Sequence, residues 1–274
     1  MAQVPTITLN DGRAIPQLGI GVWQVSDDDI VPTVSKALEV GYRHVDTAQG
    51  YQNEEGVGKA IAASGIARDD LWVTTKLANG KHERSDAVAE LKVSLEKLGL
   101  EYVDLYLIHW PQPLNGDYVE TWKGMIDALE QGLTKSIGVS NFQPEHLDKI
   151  VEATGKIPAV NQIEVHPTFA NQAAVDGSTK HGITIESWSP LGLGSDLKNE
   201  TLGEIAAAAG KSPAQVILRW HLQKGYVVFP KSITPSRIEE NFDILDFELS
   251  ADDLARIDAL DEDNRTGGHP DKMN

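Results

Sequence analysis

Cysteine is absent from the 274 residues. That removes disulfides, thiolate nucleophiles and every Cys-ligated zinc or iron–sulfur site, and it suits a reducing cytosol. Long apolar runs are missing too, since no stretch approaches the roughly 18–20 residues a membrane-spanning helix needs. The first residues carry no basic segment leading into an apolar core, so they do not read as a signal peptide. Positive charge is scarce: 24 Lys and Arg stand against 41 Asp and Glu, a net charge of −17. A surface of that sign repels phosphate backbones and anionic headgroups, which argues against nucleic-acid and membrane partners. The eight histidines (44, 82, 109, 146, 166, 181, 221 and 269) form no H-x-H or H-E-x-x-H pair, so no metal site is expected. The expectation is an acidic cytoplasmic protein.

What is present is alternation. Short β-branched or aromatic runs at residues 18–22, 44–46, 71–77, 103–109, 135–139, 159–165, 183–187 and 227–230 alternate with amphipathic segments. The helical patterns fall at 29–40, 54–63, 86–98, 119–131, 144–154, 172–181, 202–209 with 214–223, and 236–244, with a last one at 251–260. Runs such as Val103-Asp104-Leu105-Tyr106-Leu107-Ile108 are almost continuously apolar, as parallel strands covered on both faces are. Eight strand–helix units in this length predict an α/β fold of the (β/α)8 TIM-barrel type. Residues 6–9 and 14–15, joined by Asn10-Asp11-Gly12, read as an extra amino-terminal β-hairpin, and a short carboxy-terminal tail follows the last helix. No linker splits the chain, so residues 1–274 read as one domain.

An open doubly wound sheet is the competing architecture. It should carry G-x-G-x-x-G after its first strand when it binds a dinucleotide. Here Gly19-Ile20-Gly21 is followed by Gln24 where the third glycine belongs. Gly210-Lys211-Ser212 looks like the end of a phosphate loop, but Ile205 stands where the first glycine should be. Ser212 as N-cap, Pro213 as first helical residue and Gln215 as capping-box partner explain that stretch structurally.

Active sites of (β/α)8 barrels sit at the carboxyl ends of the strands. The expected ends place there Asp46, Lys76, His109, Ser140 with Asn141, Gln162 with Glu164, Trp188, and Lys231 with Ser232. Any one of these is ordinarily a satisfied polar residue at a barrel mouth; the whole set is not. A buried Asp46–Lys76 pair beside Tyr51 would let the ammonium lower the pKa of the phenol. Tyr51 could then protonate a carbonyl oxygen while the carbon receives a hydride, with His109 orienting that oxygen. None of the four residues supplies a hydride, so a cofactor is required. Lys231-Ser232-Ile233-Thr234-Pro235-Ser236-Arg237 suggests where it is held: Thr234 reads as an N-cap, and Lys231 and Arg237 flank a helix N-terminus, which favours a phosphate.

At these residues the sequence resembles the aldo-keto reductases. Asp46-Thr47-Ala48-Gln49-Gly50-Tyr51-Gln52-Asn53-Glu54 is similar to the family's D-T-A-x-x-Y-x-N-E signature. Thr75-Lys76-Leu77, His109-Trp110-Pro111, Gly138-Val139-Ser140-Asn141-Phe142 and Asn161-Gln162-Ile163-Glu164 match further segments in order. The resemblance implies an NADPH-dependent reduction of aldehydes and ketones, with Tyr51, Lys76, Asp46 and His109 as the catalytic tetrad and Tyr51 as proton donor. It implies nicotinamide contacts from Ser140, Asn141, Gln162 and the Trp188 ring, and pyrophosphate contacts from Ser189 and Leu191. The loop 191–200 would fold over the cofactor. Lys231, Ser232, Thr234, Arg237, Glu240 and Asn241 would form the 2′-phosphate and adenine clamp.

Trp188, together with Gly41-Tyr42-Arg43-His44 and His269-Pro270-Asp271, looks most like the bacterial 2,5-diketo-D-gluconate reductases. That group tends to carry Trp where Ala78 stands, so Ala78 is expected to widen one wall of a substrate pocket otherwise built from Trp23 and Trp110. Keto-sugar acids, α-dicarbonyls and small or aromatic aldehydes are the implied substrates, and the family implies a monomer. Two other readings of the same residues exist. One is a Schiff-base aldolase through Lys76, which an ion pair with Asp46 opposes by keeping the amine protonated. The other is a non-catalytic cofactor sensor, which the complete tetrad opposes.

Overall fold

The structure is a computed structural model, and it describes residues 4–114 and 116–273. The chain opens with an antiparallel hairpin, β1 (Thr6–Thr8) and β2 (Ala14–Pro16). There follow β3 (Ile20–Gly21), α1 (Asp27–Val40), β4 (His44–Asp46), α2 (Glu54–Ala63), β5 (Trp72–Leu77) and α3 (Arg84–Leu98). Next come β6 (Val103–Ile108), α4 (Tyr118–Glu130), β7 (Thr134–Ser140), α5 (Pro144–Thr154), β8 (Val160–Glu164) and α6 (Gln172–Lys180). The chain ends with β9 (Thr184–Trp188), α7 (Glu200–Ala209), α8 (Pro213–Gln223), β10 (Val227–Val228), α9 (Pro235–Phe242) and α10 (Ala251–Asp258).

Strands β3 to β10 form one parallel sheet in sequence order. The two outer strands meet: Leu18 bridges Val228 in parallel, Gly19 N–H donates to Val228 O at 3.0 Å, and Val228 N–H donates to Gln17 O at 2.8 Å. The sheet is therefore curled on itself as the alternation predicts. The seam is tight enough to require a glycine, because a Cβ on Gly19 would lie 2.8 Å from the Phe229 ring. β5, β6 and β8 are buried at every residue, polar ones such as Thr74, Lys76, Asp104 and Gln162 included, so both faces of the sheet are covered.

The hairpin plugs one end. Leu9 and Ile15 join Trp72, Leu105, Val160 and Val227, from the amino-terminal halves of their strands, in one buried cluster. Asp104 holds two bases there, Arg13 at 3.1 Å and Arg68 at 2.7 Å. The amino-terminal end is thus closed by packing, and a cavity opens at the carboxyl ends. The expected Ser212–Gln215 capping box with Pro213 opening α8 is present. Thr234 occupies the N-cap of α9, but its side chain makes no capping bond; its amide donates instead to Ser232 Oγ at 3.1 Å. Among the described residues no helix is long and apolar enough to cross a membrane.

Candidate active site

Asp46 is the last residue of β4, Lys76 is next to last in β5, and His109 follows β6 directly. Inside the barrel Lys76 Nζ donates to Asp46 Oδ1 at 2.7 Å, to Thr47 O at 3.0 Å and to Tyr51 Oη at 3.3 Å. The three bonds saturate the ammonium. Burial works against the Lys76 charge, but Asp46 and Tyr51 together outweigh it and hold the ammonium above its ordinary pKa. An ammonium held protonated by these partners is a poor nucleophile, which opposes the aldolase reading.

Tyr51 behaves otherwise than expected. Burial pushes its phenol up and Asp46 adds to the rise, while Lys76 pulls it back only in part. The sequence shows the ammonium beside the phenol but not the desolvation that opposes it. His109 packs edge-on to Tyr51 with ring centroids 5.7 Å apart. Burial, then the Lys76 charge, lowers its pKa to about 3, so the imidazole is neutral. Among the described residues neither of its ring nitrogens takes a hydrogen bond, and the ring borders a cavity.

The signature residues around Tyr51 build its loop. Asn53 Nδ2 donates to Val22 O at 2.9 Å and Val25 O at 3.2 Å, and Asn53 Oδ1 accepts from Thr47 Oγ1 at 3.0 Å. Glu54 Oε1 accepts from Thr75 Oγ1 at 2.6 Å. Thr47, Asn53 and Glu54 therefore tie the β3 and β4 loops to β5 and fix where the phenol points.

The cavity, of about 600 Å³, runs past Asp46, Tyr51, His109 and Gln162 to Ser189, Leu191 and Lys231. Trp23, Trp110 and Trp188 supply aromatic walls, with Trp23 47% exposed at the rim. Asn141, at the end of β7, takes a left-handed turn with φ of 64°, a conformation Asn tolerates. Its Nδ2 donates to His109 O at 3.0 Å and its Oδ1 accepts from Trp188 Nε1 at 2.8 Å. Ser140 Oγ donates to the backbone carbonyl of Gln162 at 2.8 Å. The side-chain Oε1 of Gln162 accepts nothing from the described residues, so an acceptor stands ready in the wall for an amide donor. That acceptor fits the amide N–H of a nicotinamide carboxamide.

Lys231 also lines this cavity, whereas Ser232, Thr234, Arg237, Glu240 and Asn241 lie off it, on α9 and the turn before it. Neither Lys231 nor Arg237 makes an ion pair among the described residues. Ala78 is not among the lining residues. Its amide donates to Gln49 Oε1 at 3.1 Å, at the start of the loop after β5, so the expected widened wall is not where Ala78 stands.

Three features escaped the sequence reading. The tail reaches the cavity through Gly267, Gly268 and Met273. Glu164 holds it there, accepting from Thr266 N and Thr266 Oγ1, each at 2.6 Å, and from Gly267 N at 3.0 Å. A Cβ on Gly267 would strike the Trp188 ring, so the tail needs glycine at that point. His166 links this knot to the 191–200 loop, with Nε2 3.3 Å from Glu164 Oε1 and Nδ1 2.9 Å from Asp196 Oδ2. Glu186 is the third, a wholly buried carboxyl on β9. A charged residue inside an apolar strand run was the available signal for it.

A phenol, a saturated ammonium and a neutral imidazole converging on one cavity at the mouth of a (β/α)8 barrel define an enzyme class built for carbonyl chemistry. The chain belongs to the aldo/keto reductase family, whose pattern matches residues 16–262. Methylglyoxal reductase DkgA of Escherichia coli is 49% identical over 275 residues, spanning 100% of this chain and 99% of its own. An aldo-keto reductase of Mycolicibacterium smegmatis is 49% identical over 270 residues, 98% of each chain. Among solved structures, apo Gox0644 superposes with a TM-score of 0.96 at 45% identity over 100% of both chains. A Bombyx mori aldo-keto reductase in complex with NADP does so at 0.91 and 39% identity, covering 97% of this chain and 95% of its own.

Proposed function

We propose that the protein reduces aldehyde and ketone carbonyls to alcohols with NADPH, and that uncharged α-dicarbonyls such as methylglyoxal are its preferred substrates. The observation that carries the reading is Lys76 donating at once to Asp46 and to the Tyr51 phenol, whose ring borders the cavity. NADPH supplies the hydride that reaches the carbonyl carbon. Tyr51 Oη gives its proton to the carbonyl oxygen, and the Lys76 ammonium, anchored by Asp46 and Thr47 O, stabilises the phenolate left behind. Neutral His109 donates a hydrogen bond to that same oxygen and fixes the carbonyl in reach. When the cofactor is bound, Gln162 Oε1 would hold its carboxamide, Trp188 would offer its ring to the nicotinamide, and Lys231 with Arg237 would take the 2′-phosphate.

The preference for uncharged substrates rests on the walls. Near the tetrad they are aromatic, with Trp23 and Trp110, and Lys231 is the one Lys or Arg among the described lining residues. A keto-sugar acid would bury its carboxylate there without a partner, at a cost of several-fold to many-fold in affinity. The name of the Escherichia coli relative points the same way. We propose further that residues 1–274 act as one unit, as a cytoplasmic monomer, which light scattering on the purified chain checks. Oxidation of NADPH against methylglyoxal, an aromatic aldehyde and a keto-sugar acid tests the function. Turnover efficiency should fall in that order, and no turnover with any of them would remove the reductase reading.

A further inference from the structure

Glu186 has no part in the mechanism above, yet it lies directly behind the machinery that performs it. It is the third residue of β9, two before Trp188, and it points into the barrel with no exposure to solvent. The side-chain amide of Gln162 spans two carboxyl groups, donating to Asp46 Oδ2 at 2.9 Å and to Glu186 Oε2 at 3.0 Å. Asp46 in turn holds Lys76, and Lys76 holds Tyr51. One unbroken chain of hydrogen bonds therefore runs from Glu186 to the proton donor. Glu186 Oε1, at its far end, is buried with no partner among the described residues.

We propose that Glu186 is a positioning residue that acts on Tyr51 through Gln162 and Asp46, uncharged while the reductase works and opposing proton donation once it ionises. The argument is one of charge. With Glu186 neutral, the interior behind Tyr51 holds one ammonium and one carboxylate, and the phenolate formed on proton donation is a single added negative charge beside Lys76. With Glu186 ionised, a second carboxylate shares the Gln162 amide with Asp46, and the phenolate forms against a net negative interior. The orphaned Oε1 fits a neutral acid better than an ion, because a buried carboxylate oxygen without a donor is far more costly than a buried hydroxyl.

The surroundings agree. The charged groups acting on Glu186 are Asp46 from β4 and Lys76 from β5, while its sheet neighbours β8 and β10 present Gln162 and Val227 in register. The other titratable group of β4, His44, is engaged with Pro16 O and Thr74 Oγ1 and is neutral. Burial first, then the Asp46 charge, raises the Glu186 carboxyl to about 8 against the opposing pull of Gln162 and Lys76. Neutrality therefore holds up to mildly alkaline pH. Gln162 gains by the same arrangement: with both amide protons committed, its Oε1 keeps the orientation that leaves it free in the cavity wall.

This inference rests on the reductase reading, and its test separates the two. Infrared spectra of the intact protein should show a protonated-carboxyl band at pH 6 that fades through about pH 8 and is missing in Glu186→Gln. Tyr51 ionisation, read as tyrosinate absorbance in parent minus Tyr51→Phe, should occur at lower pH when both proteins carry Glu186→Gln. In steady state, kcat for the best carbonyl should decline by roughly tenfold across pH 8 in the parent, the order a buried unit charge nearby exerts, and more shallowly in Glu186→Gln. A parent lacking the pH 6 band, or a Tyr51 titration identical with and without Glu186, overturns the proposal. Failure to turn over any carbonyl would instead sink the reductase reading, and the two spectroscopic readouts would still decide the role of Glu186.

Discussion

His109 and His166 each stand just beyond a barrel strand, β6 and β8, and burial works against the charge of both. For His109 the nearest charge is the Lys76 ammonium, and its pKa is lowered to about 3. For His166 burial is opposed by Asp196 and Glu164, and its pKa is raised to about 9. Neighbours, rather than depth, decide which of two buried histidines is an ion. The difference divides the mouth of the barrel by task. On the His109 side a neutral donor faces the cavity, its nitrogens unengaged among the described residues. On the His166 side an imidazolium is spent on structure, fastening the 191–200 loop through Asp196 and the tail through Glu164.

The largest expected effect lies on the His109 side. Tyr51→Phe removes one hydroxyl and leaves the ring packed against His109, so turnover should fall by about 10²–10⁴ while NADPH affinity stays within about twofold. Stopped-flow kinetics with cofactor titration separates the two quantities. Near-parental turnover would mean that another group donates the proton.

The next effect belongs to the His166 side and is read as stability. A histidine whose folded pKa is about 9 and whose unfolded pKa is about 6.5 binds more protons when folded between those values. Its contribution is full below pH 6.5 and is lost as pH rises through 9. His166→Asn should therefore cost on the order of 2–3 kcal/mol at pH 6 and much less at pH 9.5. Urea unfolding at both pH values in parent and variant measures the difference. Glu186 adds a decline of the same sign, from the carboxylate range up to about 8, so the quantity to compare is variant against parent at each pH. An equal cost at both pH values would show that His166 is not charged. His109 works in reverse, as do His44 and His221, also near 3: each withdraws stability as pH falls from about 6.5 towards 3.

Arg237→Ala touches neither side and sharpens the contrast by sparing both. One charge-assisted bond is worth about 1.5–3 kcal/mol, so NADPH should bind roughly tenfold to a hundredfold more weakly while NADH changes far less. Quenching of the protein's tryptophan fluorescence reads both constants, since Trp23, Trp110 and Trp188 line the cavity. Parallel losses would mean that Arg237 supports α9 rather than a phosphate.

Much of this layout is legible before any coordinates. β4, α2 and α5 begin and end where the pattern puts them, because their limits carry chemical marks: Asn53 before Glu54, Pro144 opening α5, Gly155 closing it. The grouping of Asp46, Lys76 and His109 at the strand ends is legible for a related reason, since they recur at one strand–helix interval. The seam strands are not. The runs at 18–22 and 227–230 outlast the two-residue strands β3 and β10, because hydrophobicity reports burial and not pairing. The tail's place beside Trp188 was out of reach for a different reason: Glu164 and Thr266 are joined across 102 residues, and no local pattern encodes that contact. The direction of the Tyr51 shift was missed because a sequence names neighbours without weighing desolvation against them.

The short seam gives the molecule a preferred place to breathe. Between β3 and β10 the ladder is down to a few bonds, among them Gly19 N–H to Val228 O at 3.0 Å and Gly21 N–H to Pro230 O at 3.4 Å. Local openings start where such bonds are fewest, so the amides of Gly19, Gly21 and Val228 should trade their protons for deuterium sooner than those of β5 and β6. Gly21, Phe229, Pro230 and Lys231 are also walls of the cavity. Whatever fills it bridges the two lips of the opening, so saturating NADPH should slow deuterium uptake at these amides more than in β6. Occupancy of the site would then be recorded in the backbone as a stitch across the barrel.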